Sequence, residues 1–152
     1  MIQLPVEPAE PDMVVRLSFG ADPRAVRRAL RRVHAVLSGA RVLEDDRAMA
    51  ELVLAEVLNN VVEHAYAGHA TGMIELALSL DAEALTCQVT DHGRPLPEGE
   101  LPGPCSGGHD PQDLPEGGFG WPLIHRLTRD LGYCRTPGCN RLRFRLTARR
   151  RA

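Results

Sequence analysis

The stretch Glu44–Tyr66 (EDDRAMAELVLAEVLNNVVEHAY) most constrains what this chain can fold into, because it combines a helical period with polar side chains set into an apolar surface. Acidic residues crowd its first turn, where the helix dipole favours them. Glu56, Asn60 and His64 recur every four residues and so project from one stripe of the helix. Val53, Leu54, Val57, Leu58, Val61 and Val62 surround that stripe. A carboxylate and an amide in such a setting cost on the order of several kcal/mol unless they find partners. A bound cation and phosphates would supply them; a polar stripe turned to solvent would also account for the pattern.

Around this helix the chain reads as one α/β domain. Residues 1–12 (MIQLPVEPAEPD) are rich in Pro and Glu and read as a mobile arm. Met13–Phe19 alternates as a first strand, and Asp22-Pro23 then supplies an N-cap with Pro at the first helical position. The helix that follows runs to about Ser38, with Ala25, Val26, Ala29, Leu30, Val33, Val36 and Leu37 on one stripe and arginines on the other. After the long helix, closed by Gly68, Met73–Leu80 and Leu85–Thr90 read as an antiparallel hairpin. Residues 91–119 hold many of the Gly and Pro residues with little periodicity, the signature of a functional lid or a disordered segment. A third helix is expected over Pro122–Leu131, then Tyr133–Arg135, a Pro137-Gly138 turn, and a half-exposed strand over Arg141–Thr147.

Charge excludes more than it assigns. The net charge of −2 leaves no general field for nucleic acid or anionic lipid. The arginines of residues 24–32 read as a solvated helix face, and those of residues 149–151 as a basic tail over 149–152. Cys87, Cys105, Cys134 and Cys139 show no two-residue spacing and are expected to be reduced; Cys105 and His109 lack further partners for a metal. There is no signal-like start and no apolar run of membrane-spanning length, so no membrane partner and a cytoplasmic location are expected.

Two further motifs carry chemistry. Asp91-His92-Gly93 ends a strand, where a carboxylate can accept from an exocyclic amine and glycine allows close approach to the backbone; turn formation explains the same residues equally well. Gly117-Gly118-Phe119-Gly120-Trp121-Pro122 stands at a helix start, a place that attracts phosphate, although no Walker or dinucleotide fingerprint surrounds it.

Each motif alone fits many proteins, but their order fits one group. E-x-x-x-N-x-x-x-H-A-Y on a helix, D-x-G at a strand end, a loop, and G-x-G at a helix start resemble the ATP-binding domains of the gyrase, histidine kinase and heat-shock-chaperone superfamily. More narrowly, LAEVLNNVVEHAY and EGGFGWPLI resemble the anti-sigma-factor serine/threonine kinases, the switch-protein kinases of bacteria. The resemblance covers about residues 13–148.

It implies a two-layer α/β sandwich of the Bergerat type: a mostly antiparallel sheet, three helices on one face, and a mobile ATP lid over residues 94–117. It implies Glu56 as the general base, Asn60 as the Mg²⁺ ligand, and His64 as a residue shaping the pocket. Asp91 would read the adenine amine with Gly93 beside it, while Gly118, Phe119 and Gly120 would bind the triphosphate. ATP and Mg²⁺ are the implied cofactors. The implied partners are an anti-sigma-factor antagonist, which would be phosphorylated, a sigma factor, and a second copy of the chain in a homodimer. Two departures stand out. Arg94-Pro95 replaces the later part of the first glycine box, and residues 95–119 contain no Lys or Arg. The latter favours the alternative of an ATP-binding adaptor that transfers no phosphate, whereas Glu56 opposes it.

Overall fold

The computed structural model describes residues 13–67, 72–103 and 120–152. The N-terminal arm, Gly68, Cys105, His109 and residues 104–119 of the expected lid and glycine turn lie outside the described residues.

Five strands form one antiparallel sheet: β1 (Met13–Gly20), β2 (Met73–Leu80), β3 (Ala84–Asp91), β4 (Arg129–Thr136) and β5 (Cys139–Thr147), in spatial order β1-β2-β3-β5-β4. Period-two alternation decides which face is covered. Ile74, Leu76, Leu78 and Leu80 of β2 point inward with Leu85, Cys87 and Val89 of β3 and with Leu142, Phe144 and Leu146 of β5, all nearly inaccessible. Arg141 and Arg143 alternate outward. Burial pushes the Cys87 thiol well above the usual thiol range, which keeps it inert among core residues.

Helices α1 (Pro23–Gly39), α2 (Glu44–Asn60) and α3 (Gly120–Leu127) cover that inner face. Asp22 caps α1 as its sequence predicts, its carboxylate accepting from the Ala25 N–H at 2.9 Å. The Arg24–Arg32 side of α1 is solvated. The helix begun at Glu44 keeps its path through a π-helical turn over Val61–Ala65, marked by the Tyr66 N–H to Val61 carbonyl bond at 3.1 Å. It ends at Ala65 with Tyr66 as its cap, and Ala67 beyond takes a left-handed φ of 49°. Single π turns of this kind concentrate at functional sites, because the extra residue re-aims the side chains around it.

Two sequence expectations need correction. The third helix was expected to reach Leu131, yet it stops at Leu127: Thr128 turns both its N–H and its Oγ1 onto the Ile124 carbonyl, at 3.1 and 2.7 Å. Arg129 already pairs with Arg145 in the sheet, and Asp130 adopts a φ of 54° in the register shift that follows. Long-range strand pairing thus overrides a locally helical sequence. Nor are the first residues of the basic end loose. Arg149 donates to Asp46 through its backbone N–H (2.8 Å), Nε (3.0 Å) and a guanidinium nitrogen (2.9 Å). Its carbonyl accepts from Leu43, and Arg151 donates to the Arg41 carbonyl. Asp46 is almost fully buried, and the Arg149 side-chain bonds hold its carboxyl below the usual aspartate range. Among the described residues no helix is long and apolar enough to cross a membrane.

Candidate functional site

A cavity of about 490 Å³ opens between the helical layer and one end of the sheet, within the size range of small-molecule pockets. Val57, Val61, Val89, Trp121, Tyr133 and Leu142 give it apolar walls. Three of the expected site residues line it: Asn60, His64 and Asp91.

Asp91 closes β3 and is 5% exposed. It accepts from the Gly93 N–H at 2.9 Å and from the Asn140 side-chain amide at 2.8 Å, and both bonds go to Oδ1. Neither bond uses Oδ2. Gly93 stands where the chain presses on the π turn: a Cβ placed there would lie 2.3 Å from the Ala65 carbonyl oxygen. The next residue, Arg94, donates its N–H to that same carbonyl at 2.7 Å. Gly93 thus serves the close approach of two backbone segments and does not itself line the cavity. Tyr66 completes the joint, donating its hydroxyl to the Met73 carbonyl and accepting from the His92 N–H at 2.7 and 2.8 Å. Burial raises its phenol above the usual range, with the Asp91 charge adding to the shift.

Asn60, also on the cavity wall, is buried, and among the described residues its Nδ2 has no hydrogen-bond partner. An orphaned amide on a cavity wall is costly, about 1–3 kcal/mol. Glu56, one turn earlier, is half-buried and sits beside Asn60 against the start of α3. A Cβ on Gly120 would approach Glu56 Oε2 to 3.0 Å and Asn60 Nδ2 to 3.2 Å, so a side chain there would have to displace the ends of both. His64, beyond the π turn, lines the rim with its side chain 59% exposed. The four-residue spacing had placed Glu56, Asn60 and His64 on one stripe. The π turn separates them into a polar pair against α3 and an exposed rim residue. Gly118 and Phe119 lie outside the described residues.

Sequence reasoning missed the base of the cavity. Asn140 of β5 is 5% exposed and pairs in register with Asp91 on one side and Arg135 on the other. Tyr133 of β4 donates its hydroxyl to Asn140 Oδ1 and accepts from the Leu96 N–H. Trp121, the only tryptophan in the chain, forms part of the wall. One signal was available: Asn140 occupies an inward position in a strand whose other inward residues, Leu142, Phe144 and Leu146, are all apolar.

The histidine kinase-like ATPase domain family matches residues 19–146 of the chain. No curated protein matches it. Among solved structures, the chain is similar to the RsbU and RsbW domains of Rv1364c from Mycobacterium tuberculosis, with a TM-score of 0.62 at 17% identity. That likeness covers 93% of this chain and 34% of the other, so the chain spans about a third of that structure. The mycobacterial sensor histidine kinase MprB is also similar, with a TM-score of 0.51 at 17% identity over 90% of this chain and 100% of the other. At such identities the likeness is one of fold.

Proposed function

The chain belongs to the histidine kinase-like ATPase domain family, and we propose that it is a serine/threonine protein kinase and anti-sigma factor. In this reading it phosphorylates an anti-sigma-factor antagonist and, with unphosphorylated antagonist scarce, holds a sigma factor inactive. It would do so in the cytoplasm and as a homodimer. The ATPase-domain family implies ATP as the nucleotide. The observation that carries the reading is the pairing of Glu56 with Asn60 against Gly120, with Asn60 and Asp91 on the wall of the same cavity. Binding alone needs no carboxylate beside the phosphate end.

Each residue then has a task. Asp91 Oδ2 accepts from the adenine amine, and the apolar walls take the base. The N–H groups at the start of α3 face the phosphates, as free helix starts do. The Asn60 amide offers its orphaned N–H to a phosphate oxygen or, turned over, its carbonyl oxygen to Mg²⁺, a hard ligand for a hard cation. The cation would supply neutralising charge between the phosphates. Glu56 takes the proton of the acceptor serine or threonine as that hydroxyl oxygen bonds to the terminal phosphorus. The bond from that phosphorus to the bridging oxygen breaks, and its electron pair leaves with ADP.

A second reading, an adaptor that binds ATP and its partners without transfer, draws on residues 95–119, which hold five acidic residues and no Lys or Arg. Transfer of labelled phosphate to an antagonist protein by the wild type separates the two, since the adaptor transfers none, and one variant then tests the base. Glu56→Gln is expected to keep ATP affinity within about twofold while transfer of labelled phosphate to an antagonist protein falls by about 10²-fold or more, the usual scale of general-base catalysis. Transfer at the wild-type rate by the variant removes Glu56 as base.

A further inference from the structure

Asn140 lies where two segments of the chain meet, residues 91–94 at the end of β3 and residues 133–135 of β4. Its Nδ2 donates to Asp91 Oδ1 at 2.8 Å and to the Arg94 carbonyl at 2.9 Å, with the Gly93 carbonyl at 3.4 Å. Its Oδ1 accepts from the Tyr133 hydroxyl and from an Arg135 guanidinium nitrogen at 3.1 Å, and Arg135 also donates to the Gly93 carbonyl at 2.8 Å. Chemistry fixes which way this amide points. A guanidinium only donates, and the Tyr133 oxygen, already accepting from the Leu96 N–H at 3.1 Å, is left to donate its proton. On the other side a carboxylate and carbonyls only accept. A flipped amide would set N–H against guanidinium and oxygen against carboxylate.

Resting on the nucleotide site proposed above, we propose that Asn140 is the residue that positions Asp91 for the base and ties that position to the segment leaving β3, with Tyr133 and Arg135 holding its amide in register. Asn140 engages Asp91 Oδ1 together with the Gly93 N–H, which leaves Oδ2 as the oxygen for the base in this reading. The same N–H group holds the Arg94 carbonyl, and the hydroxyl that anchors the amide also holds Leu96, which lines the cavity with Pro95 and Pro97. Base recognition and the seating of residues 94–96 therefore depend on one side chain. Unlike Asp91 in its D-x-G motif, Asn140 belongs to no phosphate or adenine motif in the sequence.

Asn140→Asp separates positioning from packing. The variant keeps the shape but loses the donor, setting two carboxylates in hydrogen-bond contact, and such a pair takes up a proton above the ordinary range. Once protonated, the new carboxyl again donates to Asp91 Oδ1. The groups facing this site are Asp91 from β3, His92 and Arg94 from the segment after it, Tyr133 and Arg135 from β4, Glu63 and His64 from the π turn, and Tyr66 just beyond it. The histidines are common to both proteins, so the wild type at each pH is the control.

The test is calorimetric titration of the full chain with Mg-ATP at about pH 8 and about pH 5, for the wild type, Asn140→Asp and Asn140→Ala. Asn140→Asp is expected to bind about tenfold or more weakly at the higher pH and to regain wild-type affinity at the lower, while Asn140→Ala stays weak at both. Hydrogen exchange at the Leu96 amide quickens wherever affinity is lost. Wild-type affinity in Asn140→Ala, or an Asn140→Asp defect equal at both pH values, overturns the proposal. A wild-type protein that binds no ATP overturns the nucleotide site itself, and with it this inference.

Discussion

Replacing Asp91 by asparagine probes the adenine end without disturbing the fold. Two donors, the Gly93 N–H and the Asn140 amide, point at one oxygen of Asp91, 2.9 and 2.8 Å away. The asparagine must present its own oxygen to that pair, which leaves its NH₂ group where the ligand-facing oxygen stood. An adenine amine would then meet a donor. The loss is that of a hydrogen bond to a charged group, about 1.5–3 kcal/mol, or about 10- to 100-fold in affinity. A purine with a carbonyl in place of the amine gains what adenine loses, so the preference for ATP over inosine triphosphate should shrink or invert. Because both internal donors stay satisfied, the melting temperature should move by no more than about 2–4 °C, the equivalent of about 1 kcal/mol in a domain of this size. Titration calorimetry with the two nucleotides, beside a thermal melt, reads all three quantities. Unchanged ATP affinity, or an equal loss for both nucleotides, refutes the assignment of Asp91 to the base.

Two further outcomes test the frame that holds the site. Gly93→Ala puts a Cβ 2.3 Å from a backbone oxygen that cannot swing aside, and it should cost about 1–3 kcal/mol of stability; a melting temperature equal to that of the wild type contradicts the close approach. Asp46→Asn removes a carboxylate whose pKa is lowered on folding, chiefly by its hydrogen bonds from Arg149. A lowered folded pKa contributes stability above the ordinary aspartate range and loses it as pH falls through the lowered value. The gap in melting temperature between wild type and variant should therefore be widest near neutrality and close progressively below about pH 4; a gap constant with pH contradicts the pairing.

Local periodicity made most of the fold legible. Asp22-Pro23 announced α1, the alternation of Arg141–Thr147 announced β5, and the apolar run around Glu56 and Asn60 announced a helix with a polar burden. What was hidden lay in contacts between distant residues. Thr128–Leu131 carries no helix breaker, and only pairing with β5 makes it leave the helix. Arg149 reads as one more basic residue in a tail until Asp46, 103 positions earlier, closes on it. Tyr66 ends a familiar motif, yet its hydroxyl works by pinning β2 and β3 to the helix end. The π turn cannot be read from four-residue spacing, which put His64 on the stripe of Asn60 although the widened turn carries it to the rim. Asn140 is the clearest case, since its partners on two segments, residues 91–94 and residues 133–135, come together only once the sheet has formed.

The central claim is that one nucleotide spans the cavity, with its base at Asp91 and its phosphates at Asn60 and the start of α3. A crystal structure of the chain with Mg²⁺ and a non-hydrolysable ATP analogue tests it most directly. The account predicts the adenine amine within hydrogen-bond reach of Asp91 Oδ2, the Asn60 amide engaged by a phosphate oxygen or the cation, and Glu56 facing the terminal phosphate with room for a hydroxyl between. A nucleotide bound with its base away from Asp91, or with its phosphates away from Asn60, contradicts it.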